Sequence, residues 1–131
     1  MYDPLLNKSN SNPWEQDSLE IFIDEDNSKR LSYDSNDAQF RVNFDNMQTF
    51  GTNGSPDGFI TATRKTDFGY VVEAKVKMKE VKLEAGKVIG FDIQLNDADA
   101  SGSRIGIIAW NETANENWRN PSYFGNLKLV E

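Results

Sequence analysis

The sequence predicts an all-β fold, an antiparallel two-sheet β-sandwich of jelly-roll-like build, and three observations carry that expectation. Apolar and polar residues alternate with period two along several short stretches, turn-forming clusters separate those stretches, and no segment shows the longer apolar period of a helix. About seven short strands with one-sided apolar faces have to bury those faces against a second sheet. The 131 residues suit a single domain over residues 1–131, long enough for a real core and too short for two.

The elements follow in chain order. In residues 19–25, LEIFIDE, Leu19, Ile21 and Ile23 share one face while Glu20 and Phe22 take the other. In residues 39–44, QFRVNF, Phe40, Val42 and Phe44 oppose Gln39, Arg41 and Asn43. A further strand fits residues 58–63. In residues 70–79 the expected inward set is Val72, Ala74, Val76 and Met78, with Glu73, Lys75, Lys77 and Lys79 outward. Residues 88–97 turn Ile89, Phe91, Ile93 and Leu95 inward and leave Asp92, Gln94 and Asn96 on the far side. Residues 104–110 and 126–130 complete the set. Turn chemistry lies between them at residues 26–28, 51–58, 86 and 97–102.

Composition narrows the function. The net charge of -7, from 21 acidic against 14 basic residues, repels phosphate backbones and anionic lipids, so neither a nucleic-acid nor a membrane partner is expected. There is no cysteine and no histidine. Disulfide and thiol chemistry are therefore absent, and so are the commonest general base, transition-metal ligand and haem axial ligand. No signal sequence is visible at the start.

Against that background two of the three tryptophans stand in polar loops, Trp14 in SNPWEQD and Trp118 in NENWRNPS. Two indoles facing each other make a slot for a flat, partly polar ligand such as a sugar ring, offering apolar surface and an N–H donor each. The outward residues Glu20, Arg41, Asn43, Asp92 and Gln94 mix both hydrogen-bonding senses, as sugar hydroxyls require. The competing reading of these faces is a solvated surface or an internal Arg41–Glu20 ion pair. Trp110, at the end of IGIIAW, reads as a packing residue, as do Tyr33, Tyr70 and Tyr123.

The run DPLLNKSNSNPWEQDSLEIFIDEDN, then DAQFRVNF, GFDIQLNDAD and IGIIAWNETANENWRNPSYFGNLKL closely resembles carbohydrate-binding module family 9, the module appended to secreted bacterial xylanases, from about Asp3 to Leu129. The resemblance implies a non-catalytic β-sandwich that holds the reducing-end sugar of cellulose, xylan or soluble oligosaccharides, with glucose or xylose at the chain end. It assigns stacking to Trp14 and Trp118, and hydrogen bonding to Glu20, Arg41, Gln94 and Asn115. It also implies structural calcium, with Asp3 and Asp17 as ligands, a parent xylanase catalytic domain as partner, and secretion as part of that larger enzyme. Asp97 to Gly102 looks like half of a calcium loop but lacks its acidic twelfth residue, Ile108 standing there, and reads as a hairpin turn. Relative to the family the chain starts at Met1-Tyr2-Asp3, near the end of an inner strand, so the family's first strands are expected to be lacking. The rival function is a small glycosidase with paired carboxylates, Glu20 with Asp17 or Asp92.

Overall fold

A computed structural model describes Asp3 and residues 5–131; Met1, Tyr2 and Pro4 lie outside the described residues. The chain forms β1 (Ser18–Asp24), β2 (Asp37–Asn43), β3 (Gln48–Phe50), β4 (Phe59–Thr66), β5 (Gly69–Val76), β6 (Val88–Ala98), β7 (Arg104–Ala109) and β8 (Gly125–Lys128), with single 3-10 turns at Pro13–Glu15 and Pro121–Tyr123. No helix of the described residues is long and apolar enough to cross a membrane.

Six strands make one antiparallel sheet in the order β3-β2-β1-β6-β7, with β8 pairing β6 end to end with β7 on the same side, while β4 and β5 form a separate hairpin sheet. The apolar alternation of β1 and β2 sets the sandwich. Leu19, Ile21, Ile23, Phe40 and Val42 meet Phe59 of β4 in the buried core, with Val72 and Val76 of β5, and Met78 just beyond that strand, packed against it. Phe40, Phe50 and Phe59 lock this contact, with ring centroids 4.9 Å apart for Phe40–Phe59 and 6.1 Å for Phe50–Phe59. Rings at these separations add to what area burial alone contributes.

The expected strands are all present with shifted ends, and three differences matter. β3 is a three-residue edge strand against β2, too short for alternation to reveal. Ala74, expected inward, is exposed. On β6 the expected burial is reversed: Asp92, Gln94 and Asn96 are buried whereas Phe91, Ile93 and Leu95 are only half-buried. The reason is width. A two-stranded sheet cannot cover the apolar face of a six-stranded one, while long loops fold over the polar face instead. β1 is consequently buried on both faces along its whole length, and Phe22 reaches Phe124 on the polar side at 5.8 Å between centroids.

Trp110 packs as expected, its ring 6.0 Å from that of Phe91 and over Gly125, where a Cβ would stand 2.6 Å from the indole. The 97–102 segment forms the β6–β7 hairpin turn, its Asp99 Oδ1 accepting from the backbone N–H of Ser101 at 2.9 Å and of Ser103 at 3.1 Å.

A cleft between two tryptophan loops

Antiparallel register lines up one residue from each of four strands across the polar face. Thr49 lies opposite Arg41, Arg41 opposite Glu20, and Glu20 opposite Gln94. Side chains opposite one another on neighbouring strands stand close enough to bond, so a row of hydrogen-bonding groups runs perpendicular to the strands. Glu20 Oε2 accepts from Arg41 at 2.9 Å and from Gln39 Nε2 at 2.5 Å, while its Oε1 accepts from Asn96 Nδ2 at 2.8 Å. Asn96 Oδ1 accepts in turn from Gln94 Nε2 at 3.0 Å and from Arg104 at 3.2 Å. The Arg41–Glu20 ion pair is real and buried, with 7% and 3% of the side chains exposed. It belongs to the floor of a cleft.

Each wall of that cleft is a loop. Pro13 presets the backbone of the Pro13–Glu15 turn that carries Trp14. That turn is fastened by Ser18 Oγ to Pro13 O at 3.3 Å, by Asn43 Nδ2 to Gln16 Oε1 at 2.9 Å, and by the Arg104 N–H to Glu15 Oε2 at 3.1 Å. The opposite wall is residues 111–120. Asn115 adopts a left-handed backbone, φ 57°, which asparagine tolerates better than most residues. The turn it makes brings its carbonyl to Trp118 Nε1 at 3.1 Å. The indole donor of Trp118 is thereby engaged within its own loop, a correction to the expectation that it serves a ligand.

Between the walls lies a cleft of about 410 Å³ lined by Trp14, Glu20, Arg41, Gln94, Asn115 and Trp118, the six residues the sequence singles out, together with Phe22, Gln39, Phe50, Gly51 and Arg104. That volume falls within the range of about 300–1,000 Å³ usual for small-molecule sites. The Arg41 guanidinium carbon sits 5.8 Å from the Trp14 ring centroid, a cation–π distance. Arg41 Nε is a buried donor with no partner among the described residues. Sequence reasoning missed Gln39, Asn96 and Arg104. The outward alternation of Gln39 and Asn96 was visible, but which of many outward polar residues meet at one carboxylate is a matter of register, and Arg104 joins them only through Asn96.

Asp17 and Asp92 do not share the cleft with Glu20. Asp17 is buried beside Asp3 and Asp97, the three carboxylates having ligand oxygens within 4.8 Å of one another, and with Asp3 it lines a separate cavity of about 60 Å³. Asp92 is sealed beneath the 111–120 loop and is not among the cleft-lining residues. The cleft thus presents a single carboxylate, already bonded through both oxygens, where glycoside hydrolysis uses two. This overturns the pairing of Glu20 with either aspartate as an acid–base couple.

Fold and cleft together define a carbohydrate-binding β-sandwich. The family described as "Carbohydrate family 9 binding domain-like" matches residues 1–131. The chain is similar to Endo-1,4-beta-xylanase A of Thermotoga maritima, 58% identical over 129 residues, and to Exoglucanase XynX of Acetivibrio thermocellus, 47% identical over 128 residues. Each match covers 98% of this chain and 12% of the relative. It is also similar to a solved carbohydrate binding module family 9 from Caldicellulosiruptor kristjanssonii in complex with cellotriose, with a TM-score of 0.93 and 41% identity over 98% of this chain and 65% of that one. The same module in complex with glucose gives 0.92 and 41% over 97% and 65%. The chain belongs to carbohydrate-binding module family 9, a family of non-catalytic modules. It spans 12% of the length of these curated relatives.

Proposed function

We propose that the cleft holds the reducing-end sugar of cellulose, xylan or their soluble oligosaccharides between Trp14 and Trp118, and that the chain thereby directs an appended glycoside hydrolase to polysaccharide outside the cell. The observation that carries this reading is the convergence of two loop indoles and a charged, hydrogen-bonded floor on one cleft. Cellotriose and glucose in the solved relatives support the ligand class, and the xylanase relatives support the partner.

The chemistry fits a pyranose. Stacking on both ring faces removes C–H surface from water, while ring hydroxyls take the places of water on the floor. Arg41 lines the cleft, and a charge-assisted bond from a guanidinium to a ring hydroxyl is about twice as strong as a neutral one. Glu20, Gln39 and Asn96 are already locked together, so the floor is ordered before the ligand arrives. A site closed around the anomeric end excludes the middle of a chain, because the next glycosidic bond would occupy the place of the anomeric hydroxyl. Calorimetric titration of cellobiose and of borohydride-reduced cellobiose tests this directly. Binding of the first and at least tenfold weaker binding of the second is expected, and equal affinities would reject chain-end recognition.

The reading extends to calcium at Asp3, Asp17 and Asp97. Burial, with the Asp3 charge adding, pushes the Asp17 carboxyl up to about 6, so the group is ill at ease ionised without a cation. Tyr70 lines the cavity shared by Asp3 and Asp17, and its hydroxyl is buried without a hydrogen-bond partner among the described residues. All-oxygen donors suit calcium. Asp17 also accepts from the backbone N–H of Asn7 at 2.5 Å and of Ala98 at 3.0 Å. A cation here would neutralise the cluster and fasten the segment preceding Trp14 to β6.

A further inference from the structure

We propose that Asp92 is the positioning residue for sugar recognition, a buried carboxylate that sets where Trp118 and Asn115 stand; the inference rests on the reading that the two indoles grip a sugar. Asp92 is completely buried yet pairs with no cation among the described residues. Its oxygens are instead filled by the Trp118 loop. Oδ1 accepts from the backbone N–H of Asn111 at 3.0 Å, and Oδ2 from the backbone N–H of Glu112 at 2.9 Å and from Asn117 Nδ2 at 2.8 Å. The remaining bond, from the N–H of Ile93 to Oδ1 at 2.8 Å, is local to its own strand. Three donors spread over residues 111–117 therefore converge on one side chain of β6.

The consequence for the cleft follows from position. Asp92 stands two residues before Gln94 on the same face of β6, so a single strand supplies a floor residue and, through Asp92, the anchor of the wall. Asn117, immediately before Trp118, is the second buried residue of the loop after Glu112. Besides its bond to Asp92 its carbonyl accepts from Tyr33 OH at 2.7 Å. The Trp118 indole itself is half-exposed and held mainly by its loop. The Trp14 wall, fastened through Ser18, Asn43 and Arg104, has several independent ties. The Trp118 wall, besides Tyr33 OH to the Asn117 carbonyl and Asn111 Nδ2 to the Tyr123 carbonyl at 2.7 Å, draws three bonds to the single side chain of Asp92.

A carboxylate is required because it only accepts. An asparagine of the same shape keeps one oxygen and turns an NH2 group toward donors, leaving at least one pair of facing donors buried. The test uses the full chain labelled with 5-fluorotryptophan, whose three fluorine resonances are assigned by single Trp→Phe variants. Asp92→Asn is expected to lose at least tenfold in affinity for cellobiose and to shift or broaden the Trp118 resonance while that of Trp14, on the other wall, stays in place. If Asp92→Asn does not fold, Asn117→Ala, which removes one donor and keeps the carboxylate's three backbone bonds, is expected to lose about three- to tenfold with the same selective change at Trp118. Affinity within twofold of the parent and an unmoved Trp118 resonance in the variant that folds would overturn the inference. So would equal disturbance of all three resonances, which marks a general structural role. Trp118→Ala separates the levels: if it abolishes binding while the anchor variants do not, the positioning role falls and the sugar reading stands, whereas unchanged binding by Trp118→Ala removes both.

Discussion

Glu20 shows how one side chain joins the strands of the sheet to the floor of the cleft. Its carboxylate, 2% exposed, takes three hydrogen bonds from Gln39, Arg41 and Asn96. Removing one partner of a buried ion pair leaves the other uncompensated and typically costs about 3–5 kcal/mol. Glu20→Gln is therefore expected to lower thermal stability measurably, and to weaken sugar binding by freeing Arg41 from its place. Calorimetric melting and titration of the same preparation check both, and a melting temperature within a degree of the parent would show that the pair is not an anchor. The alternation of β1 and β2 already turned Glu20 and Arg41 to one side. That they bond to each other and still line a ligand cleft depends on the Glu20–Arg41 register, which a pattern of polar and apolar residues does not specify.

At the scale of elements, the two sheets differ sharply in how much they bury. β1 is covered on both faces, whereas the outer face of β5 lies in water, Val71 being 46% exposed and Phe22 of β1 only 1%. Truncating a fully buried aromatic costs about 3–5 kcal/mol, and a surface truncation stays within about 0.5 kcal/mol. Phe22→Ala is expected to reduce the free energy of unfolding by the larger amount and Val71→Ala by the smaller. Chemical denaturation separates them, and similar costs would contradict the burial difference. The strands themselves were readable because alternation reports a pleated ribbon with one apolar side. β3 was not, since three residues carry no period. Nor was the inverted burial of β6, because it arises from what covers the sheet and not from the strand's own residues.

For the whole molecule, acidic charge is concentrated at buried points as well as on the surface. In the metal-free protein Asp17 is pushed up to about 6 by burial and the Asp3 charge, and Asp37 up to about 6 by burial with the charges of Asp24, Asp34 and Asp26 adding, from an ordinary value of 3.8. A folded-state value above the unfolded one means that the folded chain holds more protons between about pH 4 and 6. Stability from these groups is full below about pH 4 and is lost as pH rises through about 6. After dialysis against a chelator, the contribution of these carboxyls should lower the melting temperature between pH 5 and pH 7. Calcium should raise it at pH 7 and do less at pH 5, where protons compete for the ligands. No response to calcium at either pH would remove the proposed metal site. By itself the sequence determined the β class, the strands, the absence of histidine and thiol chemistry and the two loop indoles, because alternation, turn residues and composition act locally along the chain. Only the tertiary structure decided that Asp97 joins Asp3 and Asp17, that Asp92 belongs to a wall and not the floor, and that six scattered residues share one cleft. Those facts depend on strand order, register and the unequal widths of two sheets, and long-range pairing of that kind leaves no periodic mark in a single chain.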